Sequence, residues 1–176
     1  MEKHYFDSVT AIVPAGPEHL QGIAQLARKI WMDHYPGIIS VDQINYMLER
    51  DYADQVLLRS LENGTFFYRL LIEDNLRGFA AWSRTPVPGE GKLHKIYLDV
   101  SLHGKGLGSR LLRHVENACG KQQIERLILQ VNRQNHKAIA AYQGNGYQVE
   151  TACVVDIGQG FVMDDYLMAK HLSPVY

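Results

Sequence analysis

The segment His103-Gly104-Lys105-Gly106-Leu107-Gly108-Ser109 constrains this chain more than any other. It falls between a stretch that reads as a strand, Lys92 to Asp99, and apolar residues at helical spacing, Leu107, Leu111, Leu112, Val115 and Ala118. Closely spaced glycines between a strand and a helix let a ligand approach the backbone. The start of the helix adds unpaired N–H groups and the positive end of a dipole. That arrangement suits a phosphate; a plain glycine-rich turn is the alternative. The segment is not a Walker loop, which needs Gly, four residues and then Gly-Lys-Ser/Thr. Nor is it the dinucleotide fingerprint, because the spacing is G-x-G-x-G and the strand comes late in the chain.

The rest of the chain reads as a mixture of helices and strands. A first helix is expected from Pro17, a residue suited to the first helical position, and it stops before Pro36-Gly37. A second starts at Ser40, where Ser40 and Gln43 form a capping-box pattern and Ile39 and Ile44 sit at the staple positions. Thr65 to Glu73 and Leu76 to Trp82 read as a hairpin about an Asp74-Asn75 turn. Leu127, Leu129 and Val131 share one face of a further strand, and a helix runs from Asn135 to about Asn145, stopped by Gly146. Two closing strands, about Tyr147 to Ile157 and Phe161 to Lys170, flank Gly158-Gln159-Gly160. This order points to an α/β chain with a mixed sheet.

The 176 residues are expected to form a single domain, 1–176. Hydrophobic residues are 46 % and charged residues 21 %, values that exclude general disorder. The formal net charge of −1 argues against a dedicated nucleic-acid binder, which carries a basic excess. Cys119 and Cys153 are too few for a disulfide framework or a zinc site. The eight histidines include no H-x-x-x-H pair on an expected helix, so no metal is expected. No run approaches the ~20 apolar residues of a membrane span. Met1 to Asp7 lacks the apolar stretch of a signal peptide, so a cytoplasmic protein with no membrane partner is expected.

A second segment carries chemistry, Asn135-His136-Lys137-Ala138-Ile139-Ala140-Ala141-Tyr142, ending at Gly146-Tyr147. Asn135 is placed to cap its helix. Tyr142 lies seven residues on, about two turns, so the two side chains share a face. On its own, Tyr142 also reads as a core aromatic.

Together the two segments resemble the GCN5-related N-acetyltransferases. The acetyl-CoA loop of that family reads Arg/Gln-x-x-Gly-x-Gly/Ala, which His103-x-x-Gly106-x-Gly108 matches except at its first position. The later helix of the family reads Asn-x-x-Ala-x-x-x-Tyr-x-x-x-Gly-Phe. Asn135, Ala138, Tyr142, Gly146 and Tyr147 match it, with Tyr for Phe. The order of elements agrees from about Ile12 to Leu172, and the run Gly160 to Lys170 looks like the PaiA-like branch, which includes polyamine acetyltransferases.

The resemblance implies an acyl-CoA N-acyltransferase fold, a mostly antiparallel sheet flanked by helices, with acetyl-CoA as co-substrate and an amine as acceptor. Ile96, Tyr97 and Leu98 are then expected to offer backbone groups to the pantetheine arm and thioester. His103, Gly104, Lys105, Gly106, Leu107, Gly108 and Ser109 are expected to hold the pyrophosphate. Asn135 would bond the pantetheine arm, Lys137 would reach a CoA phosphate, and Tyr142 would sit near the sulfur. Acyl transfer from a thioester needs a neutral amine, an oxyanion stabiliser and a proton for the departing thiolate. The Leu98 N–H suits the second need and the Tyr142 phenol the third.

The two positions where family members carry a glutamate base hold Lys92 and Gln130, and neither is a carboxylate. His94, two residues along the strand from Lys92, is the candidate base, with His34 more remote. Acceptor residues are expected at Trp31 and Tyr35, with Asp33 and His34 beside them, and at Asp164 and Asp165 beside Tyr166. Aromatic faces and carboxylates suit a cationic amine with an alkyl stem. The expected activity is acetylation of a primary amine on a small molecule, polyamine-like in character, by a monomer or homodimer. The alternatives are a protein or peptide N-acetyltransferase and a non-catalytic acyl-CoA sensor.

Overall fold

The computed structural model describes residues 10–173. Met1 to Asp7, the segment read as lacking a leader, lies outside them. Seven strands are hydrogen-bonded in the order β1-β2-β3-β4-β5-β7-β6. They are β1 Thr10–Pro14, β2 Phe66–Ile72, β3 Asn75–Arg84, β4 Glu90–Leu98, β5 Arg126–Asn132, β6 Gln148–Gly158 and β7 Phe161–His171. The helices are α1 Leu20–His34, α2 Val41–Tyr52, α3 Asp54–Glu62, α4 Leu107–Lys121 and α5 His136–Gly144. β4 pairs with β5 in parallel, while β1–β2, β2–β3, β5–β7 and β6–β7 are antiparallel, so the sheet is mixed and mostly antiparallel as expected.

The chain divides into two compact units. One comprises the described residues up to Trp82 together with Lys95–His114; the other comprises Ser83–His94 and the chain from Val115 onward. In the first unit α1 buries Leu20, Ile23, Ala27, Ile30 and Trp31, the face its helical spacing predicts. Pro17 opens a short 3₁₀ turn, Pro17–His19, ahead of α1 rather than α1 itself. Ser40 caps α2 as expected, its hydroxyl accepting from the Gln43 N–H at 3.1 Å.

The second helix of the sequence reading is in fact two. Ala53 turns extended, with φ −60° and ψ 141°, and α3 restarts at Asp54. Tyr52 and Leu57 are both buried, yet five residues place them ~140° apart on one straight helix. The break resets the helical phase so that both reach apolar surroundings. The β2–β3 turn is also one residue earlier than expected. Glu73 and Asp74 hold positive φ values of 50° and 61°, and Ile72 pairs with Asn75. Two left-handed residues between paired strands match the twist of a hairpin.

A bulge on β3 sets Arg77 apart from its neighbours. Leu70 pairs with Gly78 but Leu71 pairs with Leu76, which leaves Arg77 outside the register. Arg77 donates to Ser101 Oγ at 2.9 Å, and its Nε lies 3.6 Å from Asp99. Lys29 of α1 reaches the same carboxylate at 3.1 Å. Burial pushes Asp99 up, but hydrogen bonds from Ser101 and Lys29 outweigh it and hold the carboxyl at about 2. This anchor fixes the chain four residues before the glycine segment.

Gly78 of β3 leaves no room for a side chain against β4. A Cβ there would stand 2.9 Å from the Tyr97 carbonyl oxygen and 2.9 Å from Leu98 Cδ2. The carbonyl cannot yield without parting the strands. Gly78→Ala is therefore expected to cost about 1–3 kcal/mol of stability, read as a lower urea midpoint. An unchanged midpoint would show that the strands have slack there.

In the second unit, Leu127, Leu129 and Val131 of β5 are buried and share a face, as the alternation predicts. Arg126 at the start of β5 bridges Glu90 and Glu150, and Glu90 also accepts from the Thr85 hydroxyl at 2.9 Å. Lys170 of β7 pairs with Glu116 of α4 at 2.8 Å. Among the described residues no helix is long and apolar enough to cross a membrane.

Candidate active site

The first unit holds the glycine segment at the start of α4. His103, Gly104, Lys105 and Gly106 are exposed, while Leu107 is buried and anchors the first turn. Gly104 and Gly106 adopt φ values of +76° and +75°, the left-handed region that side chains disfavour. A Cβ at either glycine would meet nothing within 4 Å. Backbone conformation, not crowding by neighbours, demands glycine at these two positions. Gly108 is different: its Cβ would stand 3.3 Å from Leu98 Cδ1, so it lets the helix lie close to β4. The intrahelical ladder begins with the Arg110 N–H donating to Gly106 at 3.0 Å, and the N–H groups of the turn before it precede the ladder, at the positive end of the dipole. Ser109 lies in that first turn. These features fit a pyrophosphate.

The same unit gathers an aromatic cluster. Trp31 lies 4.8 Å from Tyr35, 5.8 Å from Tyr52 and 5.8 Å from Tyr97, ring to ring, and Tyr97 lies 5.5 Å from Phe79. The expected acceptor residues Trp31 and Tyr35 are thus brought together with Tyr97 of β4. His34 joins them to the glycine segment, 5.0 Å from Tyr35 and 6.3 Å from His103. Ile96 and Leu98 flank Tyr97, half-buried and buried respectively.

Sequence reasoning missed Tyr52, Phe79 and Lys95. The Lys95 ammonium stands 4.4 Å from the Tyr52 ring centre, and burial pulls its pKa down. The signal for Lys95 was its two-residue spacing from Tyr97. Nothing local marked Tyr52, which arrives through the end of α2.

The second unit holds the remaining candidates. Asn135 is buried and caps α5, its side-chain oxygen accepting from the Ala138 N–H at 3.3 Å. Lys137 is exposed in the first turn, and Tyr142 is half-buried, 5.8 Å from the Tyr147 ring at 63°. His94 is exposed, its Nε2 2.8 Å from the Ser83 hydroxyl. Lys92 donates to Gln130 at 2.6 Å, so the two positions without carboxylates bond to each other.

The adjacent acids part company. Asp164 is half-buried and pairs with Arg133 at 3.1 Å, whereas Asp165 is 2 % exposed. Burial, joined by the charge of Asp164, pushes the Asp165 carboxyl up to about 6 against the pull of Lys92. Burial also pushes the Cys119 thiol up to about 12, which makes it a poor nucleophile. Among the described residues no three His, Cys, Asp or Glu side chains cluster to hold a metal.

Comparison with known proteins places this geometry. Residues 24–147 match the model of the acetyltransferase (GNAT) family. The chain is 28 % identical over 152 residues to a spermidine N(1)-acetyltransferase of Thermoplasma acidophilum, covering 84 % of this chain and 91 % of that one. Its fold is similar to that of a PaiA N-acetyltransferase from Thermoplasma acidophilum solved in complex with coenzyme A. The TM-score is 0.79 and the identity 27 %, over 92 % of this chain and 98 % of the other. The ribosomal-protein-S18-alanine N-acetyltransferase of Escherichia coli shares the fold with a TM-score of 0.71 at 19 % identity, over 95 % and 96 % of the two chains. The family match spans the glycine segment, the Asn135 cap and Tyr142, and the chain belongs to the acetyltransferase (GNAT) family.

Proposed function

We propose that the chain moves an acetyl group from acetyl-CoA to a primary amine of a small, polyamine-like molecule by direct attack on the thioester. The observation that carries the co-substrate is the pair of left-handed glycines, Gly104 and Gly106, running into α4. In this reading His103 to Ser109 bind the pyrophosphate through backbone N–H groups, with Lys105 and Lys137 adding charge for the phosphates. Ile96, Tyr97 and Leu98 pair their backbone with the pantetheine amides, and Asn135 bonds the same arm. The Leu98 N–H donates to the carbonyl oxygen as it becomes negative. Tyr142 gives a proton to the departing sulfur. His94, the candidate base of the sequence, is exposed beside Ser83. The family match runs through both units, which supports reading residues 1–176 as one N-acetyltransferase domain.

Three observations support a small cationic acceptor. The Trp31, Tyr35, Tyr52 and Tyr97 rings suit an alkyl stem that ends in an ammonium. Asp164 and Asp165 supply negative charge, and the Thermoplasma relative is a spermidine acetyltransferase. The test is release of free thiol from acetyl-CoA over a panel of polyamines, monoamines and peptides. Release with polyamines is expected. Release confined to peptides would make the chain a protein acetyltransferase, and acetyl-CoA binding with no release would make it a sensor.

A further inference from the structure

We infer that Asp165 is the base that takes the proton from the acceptor amine, an assignment that rests on the acetyltransferase reading above. Asp165 lies on β7 opposite Asn132 of β5 and Cys153 of β6. Its Oδ2 is buried and has no hydrogen-bond partner among the described residues. A carboxylate oxygen withdrawn from water without a donor is costly, and folded proteins keep such groups where a ligand supplies the donor or a reaction uses the imbalance.

The hydrogen bonds that Lys92 and Gln130 form on the neighbouring strands go to groups other than Asp165. Lys92 of β4 gives its hydrogen bond to Gln130 of β5 at 2.6 Å, and the Gln130 amide turns to Cys153 Sγ at 3.5 Å. Asp164, on the same strand, takes Arg133 at 3.1 Å. The β4–β5 register covers Glu90–Leu93 against Arg126–Leu129, and the Asn132–Asp165 pair lies past its end.

Gln130 pairs with Leu167, two residues from Asp165 and on the same face of β7. A carboxylate therefore stands one strand from Gln130 and two strands from Lys92, the two positions where the resemblance expected one. The raised pKa of about 6 suits the task. At neutral pH the group is mostly ionised, and it lies close enough to the working pH to accept and release a proton.

The step balances. The amine arrives as an ammonium and gives one proton to Asp165 Oδ2. Its freed lone pair forms the N–C bond, and the C–S bond breaks. Tyr142 protonates the sulfur, and the second N–H proton restores the one that Tyr142 gave. Asp165 then loses its proton to solvent.

The test compares Asp165→Asn with wild type in full-length protein, by thiol release between pH 5 and 9. The wild-type rate is expected to rise with pH along an acid limb centred near 6. In Asp165→Asn that limb disappears and kcat falls by about 10²–10⁴-fold, while the acetyl-CoA KM moves less than about twofold. Folding is read separately from Tm. A carboxyl whose folded pKa is raised contributes stability at low pH that is lost as pH rises through about 6. The Tm of Asp165→Asn relative to wild type should therefore rise between about pH 4 and pH 6 and stand above wild type at pH 8.

Near-wild-type kcat in Asp165→Asn, or an acid limb that persists in it, would overturn the assignment. So would an acid limb removed by His94→Asn instead, or a lower Tm for Asp165→Asn at pH 8, which would mean the carboxylate already has a partner. Wild type that releases thiol with no amine at all would overturn the acetyltransferase reading itself, whereas wild-type turnover unaffected by Asp165→Asn overturns only the role of Asp165.

Discussion

Gly106→Val is expected to raise the acetyl-CoA KM by about tenfold or more while the circular dichroism spectrum stays that of wild type. Gly106 holds φ +75°, and a β-branched residue there costs of order 1–3 kcal/mol. The loop escapes that strain by turning its backbone to negative φ, which swings the neighbouring N–H groups away from the helix axis. Each 1.4 kcal/mol of lost phosphate binding is a factor of about ten. The fold itself has little to lose, because a Cβ at Gly106 meets no protein atom within 4 Å. Gly108→Val offers a contrast: its Cβ presses on Leu98 at 3.3 Å, so the effect there mixes binding with packing of α4 on β4. A normal KM in Gly106→Val would remove this loop from the co-substrate site.

Tyr142→Phe is expected to lower kcat by at least about tenfold and to leave the acetyl-CoA KM nearly unchanged. The substitution removes one oxygen and keeps the ring, so the edge contact with Tyr147 at 5.8 Å survives. As thiolate leaves, negative charge grows on sulfur, and a phenol stabilises or protonates it where a phenyl ring cannot. General-acid catalysis is worth ~10²–10⁴-fold, and a thiol that already leaves readily puts this case toward the low end. The loss belongs to the transition state, which is why KM is spared. Single-turnover rates must be compared as well, since slow product release would hide the chemical step. Wild-type single-turnover rates would make Tyr142 a packing residue of α5.

At three places where the sequence signal was local, the structure agrees with it. The Ser40 cap, the Asn135 cap and the left-handed glycines of the 103–109 segment each depend on a few consecutive residues. The buried face of α1 and the alternation of β5 depend only on helix and strand periods. The family motifs were legible for the same reason, because a glycine segment and an Asn-to-Tyr helix are each read within a dozen residues. A short local pattern can be evaluated without knowing what packs on it.

Other features depended on partners far away in sequence. Residues 41–62 carry no glycine or proline, so nothing local announced the break at Ala53. It follows from burying Tyr52 against Trp31 and Phe79 while also burying Leu57. The β2–β3 turn slid by one residue because the pairing of Phe67 with Ala81 and Leu70 with Gly78 chose which two residues are left over. Asp164 and Asp165 look alike in sequence, yet adjacent strand residues face opposite ways. The register of β7 with β5 and β6 decides which of them loses its water. By itself the sequence determined the local conformations, the periodic faces and the motif spacing, because those need only neighbours along the chain. Tertiary structure alone decided the aromatic cluster, the Lys92–Gln130 bond and the buried Asp165 Oδ2 that has no partner among the described residues, because each is made by strands and helices that meet only when the chain has folded.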